Sequence, residues 1–102
     1  MNYQKEIIWR SAKYLDWVRS QPCYMTMKTR EEGVIIDPHH IKGIGHFSGV
    51  GQTAPDYLVM PLSREKHELV QSVPALWPLQ FEMIVNTLDK AIREGALCLT
   101  VK

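Results

Sequence analysis

Residues 37–70 read DPHHIKGIGHFSGVGQTAPDYLVMPLSREKHELV, and this stretch decides the fold. A β-prone run, GVIID at 33–37, leads into it and ends at the pair His39 and His40. The segment that follows, up to Pro55, is rich in glycine and has no lasting periodicity, which is typical of a loop that approaches a ligand. A second run, YLVMPL at 57–62, predicts another strand.

Helices are predicted after this second strand and at both ends of the chain. Ser63 suits the N-cap of a helix over 64–71, because its oxygen can accept hydrogen bonds from free N–H groups of the first turn. Segments 4–20 and 79–95 repeat apolar residues at helical spacing. The expected buried stripes are Ile7, Ile8, Ser11, Ala12, Leu15 and Val18 in the first helix, and Phe81, Ile84, Val85, Leu88 and Ile92 in the last.

One more strand is predicted at YMTMK, 24–28, joined to GVIID by a hairpin connection at Gly33. The tail ALCLTVK is expected to be a last short strand or an extended segment. The fold class is therefore α+β. The chain is expected to form one domain over 1–102, with an N-terminal helix in 1–22, a core in 23–72 and a C-terminal helix and tail in 73–102.

Composition agrees with a packed globular domain, since 45% of the 102 residues are hydrophobic and 23% are charged. The formal charge of +1 does not by itself indicate a nucleic-acid partner. Charges among the apolar residues of the N-terminal segment argue against a signal peptide or a membrane span, so a bacterial cytoplasm is the expected location. Cys23 and Cys98 are then expected to be free thiols.

Four side chains of the central stretch suit hydrolytic chemistry: His39, His40, Asp56 and His67. A neutral histidine can take a proton from water, while other histidines or a carboxylate hold a cation that stabilises negative charge. Each residue also has an ordinary interpretation, since a histidine pair suits a polar turn, Asp56 a turn or cap, and His67 a helix surface. The residue pattern leaves both interpretations open.

Basic residues near these four side chains are candidate DNA contacts. Lys42 and His46 follow the histidine pair, and Arg64 and Lys66 lie just before His67 in the first turn of its predicted helix. Such groups can bind phosphates, although scattered lysines commonly do no more than solvate a surface.

Three blocks of the chain, from about Arg10 to Leu97, carry a family resemblance. They are RSAKYLDWVRSQPC, the stretch from Asp37 to Val70, and LQFEMIVNTLDKAIREGAL. Together they resemble phage and prophage HNH nucleases of the ββα-metal, or His-Me finger, class. The resemblance is to YbcO-type proteins, which are assigned as nucleases, and to the HNH domain of the RecA-dependent phage nuclease Ref.

The resemblance implies a ββα-metal core with flanking N- and C-terminal helices. It also implies an endonuclease that hydrolyses phosphodiester bonds in DNA, uses one divalent ion, magnesium or manganese, and works with host or phage recombination proteins. By position, His40 would be the general base and His67 a metal ligand. His39 is a second candidate ligand, and Asp56 would either orient the base or help to hold the metal.

The chain departs from this family at its zinc site. Relatives carry two cysteine pairs that form a tetrahedral zinc site, whereas the matching positions here are Cys23, Thr26, Ser63 and Lys66. No structural zinc is therefore expected, and burial of apolar side chains would have to replace its stabilising effect.

Two other functions remain open at this point. The chain could be a non-catalytic DNA-binding accessory of recombination that keeps the fold, or a protein-interaction module whose tryptophan and methionine side chains form an interface. The sequence leaves the oligomeric state undefined.

Overall fold

The computed structural model describes residues 9–43 and 54–101, which form a small α+β domain. Its described residues make three α-helices and one two-stranded antiparallel sheet. In chain order the elements are α1 (Ala12–Arg19), β1 (Ile36–His40), β2 (Val59–Ser63), α2 (Arg64–Ser72) and α3 (Leu79–Arg93), with short 3-10 turns at Arg30–Glu32 and Pro74–Leu76.

Strand β2 lies at the centre of the packing, and all five of its residues are buried. It pairs with β1 so that His40 lies opposite Val59 and Ile36 lies opposite Ser63. Because alternate residues of a strand face opposite sides, Val59 joins one apolar cluster while Met60 and Leu62 join another. The first cluster is made of Tyr14, Val18, Val59 and Ala91, and the second includes Ile36, Ile41, Met60, Leu62, Val70, Met83 and Ile84.

Serine residues cap two of the helices. The Ser63 side chain accepts a hydrogen bond from the Lys66 N–H, as the sequence predicts, and α2 begins directly after it. Ser11 caps α1 in the same way by accepting from the Tyr14 N–H. The helix thus begins at Ala12, so the prediction of helix from residue 4 is wrong at Trp9 and Arg10, while residues 4–8 lie outside the described residues.

The prediction of a strand at 24–28 and of a hairpin at Gly33 is wrong. Residues 24–26 form a turn, in which the Met27 N–H donates to the Cys23 carbonyl and the Cys23 N–H donates to the Lys28 carbonyl. The partner of β1 is β2 instead, and β1 ends at the histidine pair, as the sequence predicts. The run at 24–28 is as long as β2, but its backbone groups close a turn instead, so that β-strand composition alone does not decide this pairing.

The buried face of α3 also differs from the predicted stripe. Ile84 is buried as expected, but Phe81 and Val85 are 47% and 63% exposed, and Ile92 is exposed as well. The buried residues of this helix are Gln80, Met83, Ile84, Thr87 and Ala91. Two of them are polar, so apolar periodicity alone places the buried face wrongly by about one residue.

The tail at 96–101 forms no strand. Cys23 is buried and Cys98 is exposed, and both are free thiols, as predicted. Among the residues that the structure describes, no helix is long and apolar enough to cross a membrane.

Candidate functional site

The adjacent residues His39 and His40 have different partners. They end β1, where successive side chains point to opposite faces of the strand. His39 faces α2 and α3, where it contacts His67 and Gln80. His40 contacts Asp56, which precedes β2. Two groups of polar side chains therefore begin at neighbouring positions of one strand.

The first group is the pair of His40 and Asp56. The His40 Nε2 donates to Oδ1 of Asp56 at 2.8 Å, since a carboxylate oxygen only accepts. In a neutral imidazole this leaves Nδ1 of His40 with a lone pair. The His40 side chain is about one quarter exposed, at 23%, whereas the Asp56 carboxylate is buried. A partly exposed histidine oriented by a buried carboxylate is an arrangement that suits a general base.

Asp56 is held by two more groups from the start of α1. Its Oδ2 accepts from the Ser11 N–H at 2.8 Å, and its Oδ1 accepts from the Arg10 guanidinium at 3.1 Å. Burial alone would raise the pKa of Asp56, but the hydrogen bonds from His40, the Ser11 N–H and Arg10 outweigh it and lower that pKa. Asp56 thus stays ionised at neutral pH and can stabilise a protonated His40.

The second group is the pair of His39 and His67. Their rings meet edge to face with centroids 4.6 Å apart. The His39 Nε2 donates to the Gln80 side-chain oxygen at 3.1 Å, and the His67 Nδ1 donates to Oδ2 of Asp37 at 3.1 Å. Each histidine therefore has one nitrogen fixed by an acceptor and the other left with a lone pair.

Burial keeps the His39 ring neutral. Only 2% of this residue is exposed. Burial and, to a smaller extent, the positive charge of His67 lower the pKa of His39, and the hydrogen bond to Gln80 partly opposes them, so that this pKa falls to about 4. His39 thus presents a neutral ring at physiological pH, which is the form that binds metals.

Asp37 joins His67 to Arg64. The Arg64 guanidinium contacts both carboxylate oxygens of Asp37, at 3.1 and 3.3 Å. Partial burial would raise the pKa of Asp37, but the hydrogen bonds from Arg64 and His67 lower it. An ionised carboxylate behind a histidine fixes the tautomer and the orientation of the ring, as in many metal sites.

The second group passes one test for a metal site. The Nδ1 atom of His39 is fully buried and has no hydrogen-bond partner among the described residues, which is rare for a buried polar atom. Its lone pair therefore fits a cation held jointly with His67. Within residues 9–43 and 54–101, however, no three His, Cys, Asp or Glu side chains converge as a metal cluster. Water or phosphate oxygens would have to complete the shell.

Of the two roles predicted for Asp56, its contacts support orientation of His40. Its carboxylate is occupied by His40, Arg10 and Ser11, while the contacts of His67 are with Asp37 and His39. The four predicted residues thus form two pairs, His40 with Asp56 and His39 with His67.

The predicted DNA contacts vary in accessibility. Arg64 is exposed but paired with Asp37, and Lys66 is partly exposed in the first turn of α2. Lys42 is partly exposed and follows β1 by two residues. His46 lies outside the described residues.

The four positions that the resemblance would align with zinc ligands, Cys23, Thr26, Ser63 and Lys66, lie close together. Burial raises the pKa of Cys23, but hydrogen bonds from the Thr26 side chain and from the backbone N–H groups of Ser63, Thr26 and Met25 lower it on balance. Lys66 is linked to this group through the Ser63 cap. Met27 has a left-handed backbone, with φ of 61°, and completes the tight turn.

The sequence of this chain matches a known protein family. The profile of the family described as "Protein of unknown function (DUF968)" matches residues 1–95. The chain belongs to the DUF968 family. It is also 35% identical over 101 residues to a protein of Escherichia coli (strain K12) named "Uncharacterized protein YdfU". That match covers 95% of this chain and 27% of the relative, so the chain spans about a quarter of its length. No solved structure matches the chain.

In this DUF968 chain, the supporting residues of both pairs escaped the sequence analysis. Asp37 stands two residues before His39, so strand alternation places both on one face and could have indicated it. Arg10 and Ser11 contact Asp56 across more than forty residues of sequence. Gln80 reaches His39 from a different helix, and no local sequence signal marks it.

Proposed function

We propose that this domain is a metal-dependent DNA endonuclease of the ββα-metal class and of phage or prophage origin. The observation that carries the proposal is the His40 and Asp56 pair, placed at the end of the strand that also presents His39 to His67. The proposed base, His40, and one candidate cation ligand, His39, are thus adjacent residues. The order of two strands and a helix agrees with the same class.

His40 and Asp56 would act on the attacking water. The Nδ1 lone pair of His40 takes a proton as the water oxygen attacks phosphorus, and the ionised Asp56 stabilises the imidazolium that results. Asp56 can do this because Arg10 and the Ser11 N–H hold its carboxylate in place. Its role is therefore to fix the ring and its tautomer.

His39 and His67 would hold the divalent ion. When bound, the ion supplies positive charge that stabilises the phosphate oxygens and the leaving oxygen. Of the two ions expected, manganese accepts imidazole ligands more readily than magnesium, which prefers an all-oxygen shell. Arg64, Lys66 and Lys42 are the candidate phosphate contacts outside the two pairs.

A plasmid-nicking assay tests the proposal. Supercoiled DNA is incubated with the protein in manganese, magnesium or EDTA, and we expect nicking with a divalent ion and none in EDTA. The His40→Ala variant should lose about 10²–10⁴-fold in rate, as is typical when a general base is removed. Gln71→Ala, at an exposed position of α2, is the matched control and should cut at the wild-type rate. Normal cleavage by His40→Ala would reject the assignment.

Calorimetric titration with manganese distinguishes the roles proposed for the two pairs. His67→Ala should abolish binding, whereas His40→Ala should leave the affinity within a few-fold of wild type, because His40 belongs to the other pair. Equal manganese affinity in wild type and His67→Ala would remove His67 from the metal site.

A non-catalytic DNA-binding accessory of recombination is the second candidate. It is favoured by the absence of a three-ligand cluster among the described residues. Salt-sensitive DNA binding without cleavage in any metal would select it.

A further inference from the structure

Gln80 is the most completely bonded polar side chain near the two pairs. It is 0% exposed, at the start of α3. Its oxygen accepts from the His39 Nε2 at 3.1 Å and from the Lys42 N–H at 2.9 Å. Its nitrogen donates to the carbonyls of Lys42 at 2.9 Å and of Trp77 at 3.0 Å. The amide therefore uses its full hydrogen-bonding capacity, which is two bonds accepted by the oxygen and two donated by the nitrogen.

These contacts fix which way the amide points. Reversing the Gln80 amide would set its NH₂ group against the Lys42 N–H and its oxygen against two carbonyls. The oxygen must therefore face His39. An oxygen acceptor at this position requires the proton of the neutral ring to be on Nε2.

We propose that Gln80 is a positioning residue that holds His39 in the Nε2–H tautomer, so that its Nδ1 lone pair is available to a divalent ion shared with His67. This role rests on the proposed function, because His39 and His67 are the proposed ligands. It accounts for the buried Nδ1 atom that has no partner among the described residues.

Gln80 also connects this pair to the chain that follows the base. Both backbone groups of Lys42 are bonded to the Gln80 amide. Lys42 is two residues beyond His40, and His39 is directly before His40. The Gln80 amide therefore contacts the chain on both sides of the proposed base. One buried side chain of α3 thus contacts both the ring of His39 and the backbone that follows His40.

A second buried polar residue of the same helix supplies the control. The Thr87 hydroxyl is buried and donates to the Met83 carbonyl within α3, so it contacts neither histidine. Replacement of Thr87 with valine should therefore disturb the helix without changing the ring of His39.

Nitrogen NMR of the histidine rings in the metal-free protein is the first test. The wild-type protein at pH 7 should show His39 with its proton on Nε2. Gln80→Met keeps the side-chain volume but removes the acceptor, and should give a mixture of tautomers. Thr87→Val should keep the wild-type pattern. A wild-type His39 protonated on Nδ1 would overturn the proposal, and this spectrum needs no variant to fold.

Manganese affinity, measured by calorimetry without DNA, is the second test. Loss of a residue that orients a ligand typically costs about 10–100-fold in metal affinity, and we expect this for Gln80→Met. Thr87→Val should bind within a few-fold of wild type. Wild-type affinity in Gln80→Met, or an equal loss in Thr87→Val, would contradict a positioning role. Neither measurement uses cleavage, so a protein that passes both but does not cut DNA contradicts the proposed function alone.

Discussion

The Nε2 atom of His40 lies 2.8 Å from Oδ1 of Asp56, although sixteen positions separate the two residues in the chain. The same carboxylate accepts from Arg10 and from the Ser11 N–H at the start of α1. One buried side chain therefore joins the end of β1, the approach to β2 and the first helix. Replacement of Asp56 is therefore expected to change both the stability of the domain and the orientation of the His40 ring.

Asp56→Asn tests this dependence. The amide keeps the shape but replaces one acceptor oxygen by an NH₂ group, which must face a donor. We expect a loss of about 1–3 kcal/mol in the free energy of unfolding, measured with urea. Cleavage should fall within the about 10²–10⁴-fold range that follows loss of a general base, because the His40 ring is no longer held.

Asp89→Asn is the control for that substitution. Asp89 also pairs with an arginine, Arg93, but both side chains are largely exposed. Its loss should change stability by less than about 0.5 kcal/mol. Equal effects of the two asparagine variants would show that the buried position of Asp56 has no special importance.

Tyr14 gives a prediction for alkaline pH. Its hydroxyl is buried without a partner among the described residues, and burial raises the pKa of Tyr14 to about 12. The unfolded chain loses this proton near its ordinary pKa of about 10, so rising pH favours the unfolded state between these two values. By pH 11 the wild-type protein should lose about 1.4 kcal/mol of stability relative to Tyr14→Phe.

The phenylalanine variant should also match or exceed wild-type stability at pH 7, because it removes an unpaired buried hydroxyl at almost constant volume. Urea unfolding of both proteins at pH 8 and pH 11 measures both effects. Parallel stability profiles for the two proteins would mean that Tyr14 is accessible to solvent.

The two thiols should differ in reactivity. Cys98 is exposed, while Cys23 is fully buried and held by hydrogen bonds at its sulfur. Burial rather than pKa controls access of a reagent to Cys23. A colorimetric thiol reagent should modify one cysteine per chain in the native state and both in urea. Cys98→Ser should leave no rapidly reacting thiol, and rapid labelling in that variant would contradict the packing of Cys23.

The elements after the glycine-rich segment could be predicted from sequence because their signals are local. Ser63 caps α2 by its own oxygen, and the apolar run before it forms the fully buried β2. The start of α2, which carries His67, can therefore be predicted from the Ser63 cap and the strand before it. The pairing of His40 with Asp56 could also be predicted, because the two residues lie on either side of the segment that joins the strands.

The parts that could not be predicted depend on contacts across the fold. The run at 24–28 has the composition of a strand, but its Tyr24 N–H instead donates to the Pro61 carbonyl of β2 from within a turn. Gln80 resembles any polar residue of an amphipathic helix until His39 and Lys42 are placed beside it. Burial of such a residue is decided by its partners, which apolar periodicity does not record.

The group formed by Cys23, Thr26, Ser63 and Lys66 carries the last prediction. Thr26 and the Ser63 backbone contact the Cys23 sulfur, and the Lys66 N–H is bonded to the Ser63 side chain. The resemblance noted from the sequence would align these positions with four zinc cysteines of HNH nucleases. The four positions therefore lie close together here, with one cysteine among them.

Restoring the missing cysteines should restore zinc binding. The triple variant Thr26→Cys, Ser63→Cys and Lys66→Cys is expected to bind one zinc per chain, measured by elemental analysis, whereas the wild-type protein binds none at this site. Loss of the Ser63 cap costs about 1 kcal/mol, but structural zinc contributes about 10–16 kcal/mol in small zinc domains, so the melting temperature should rise with zinc and fall in EDTA. Cobalt substitution should give the spectrum of a tetrahedral thiolate site. If the triple variant binds no more zinc than wild type, the match of these four positions to the zinc ligands is wrong, and with it one part of the resemblance to the nuclease family.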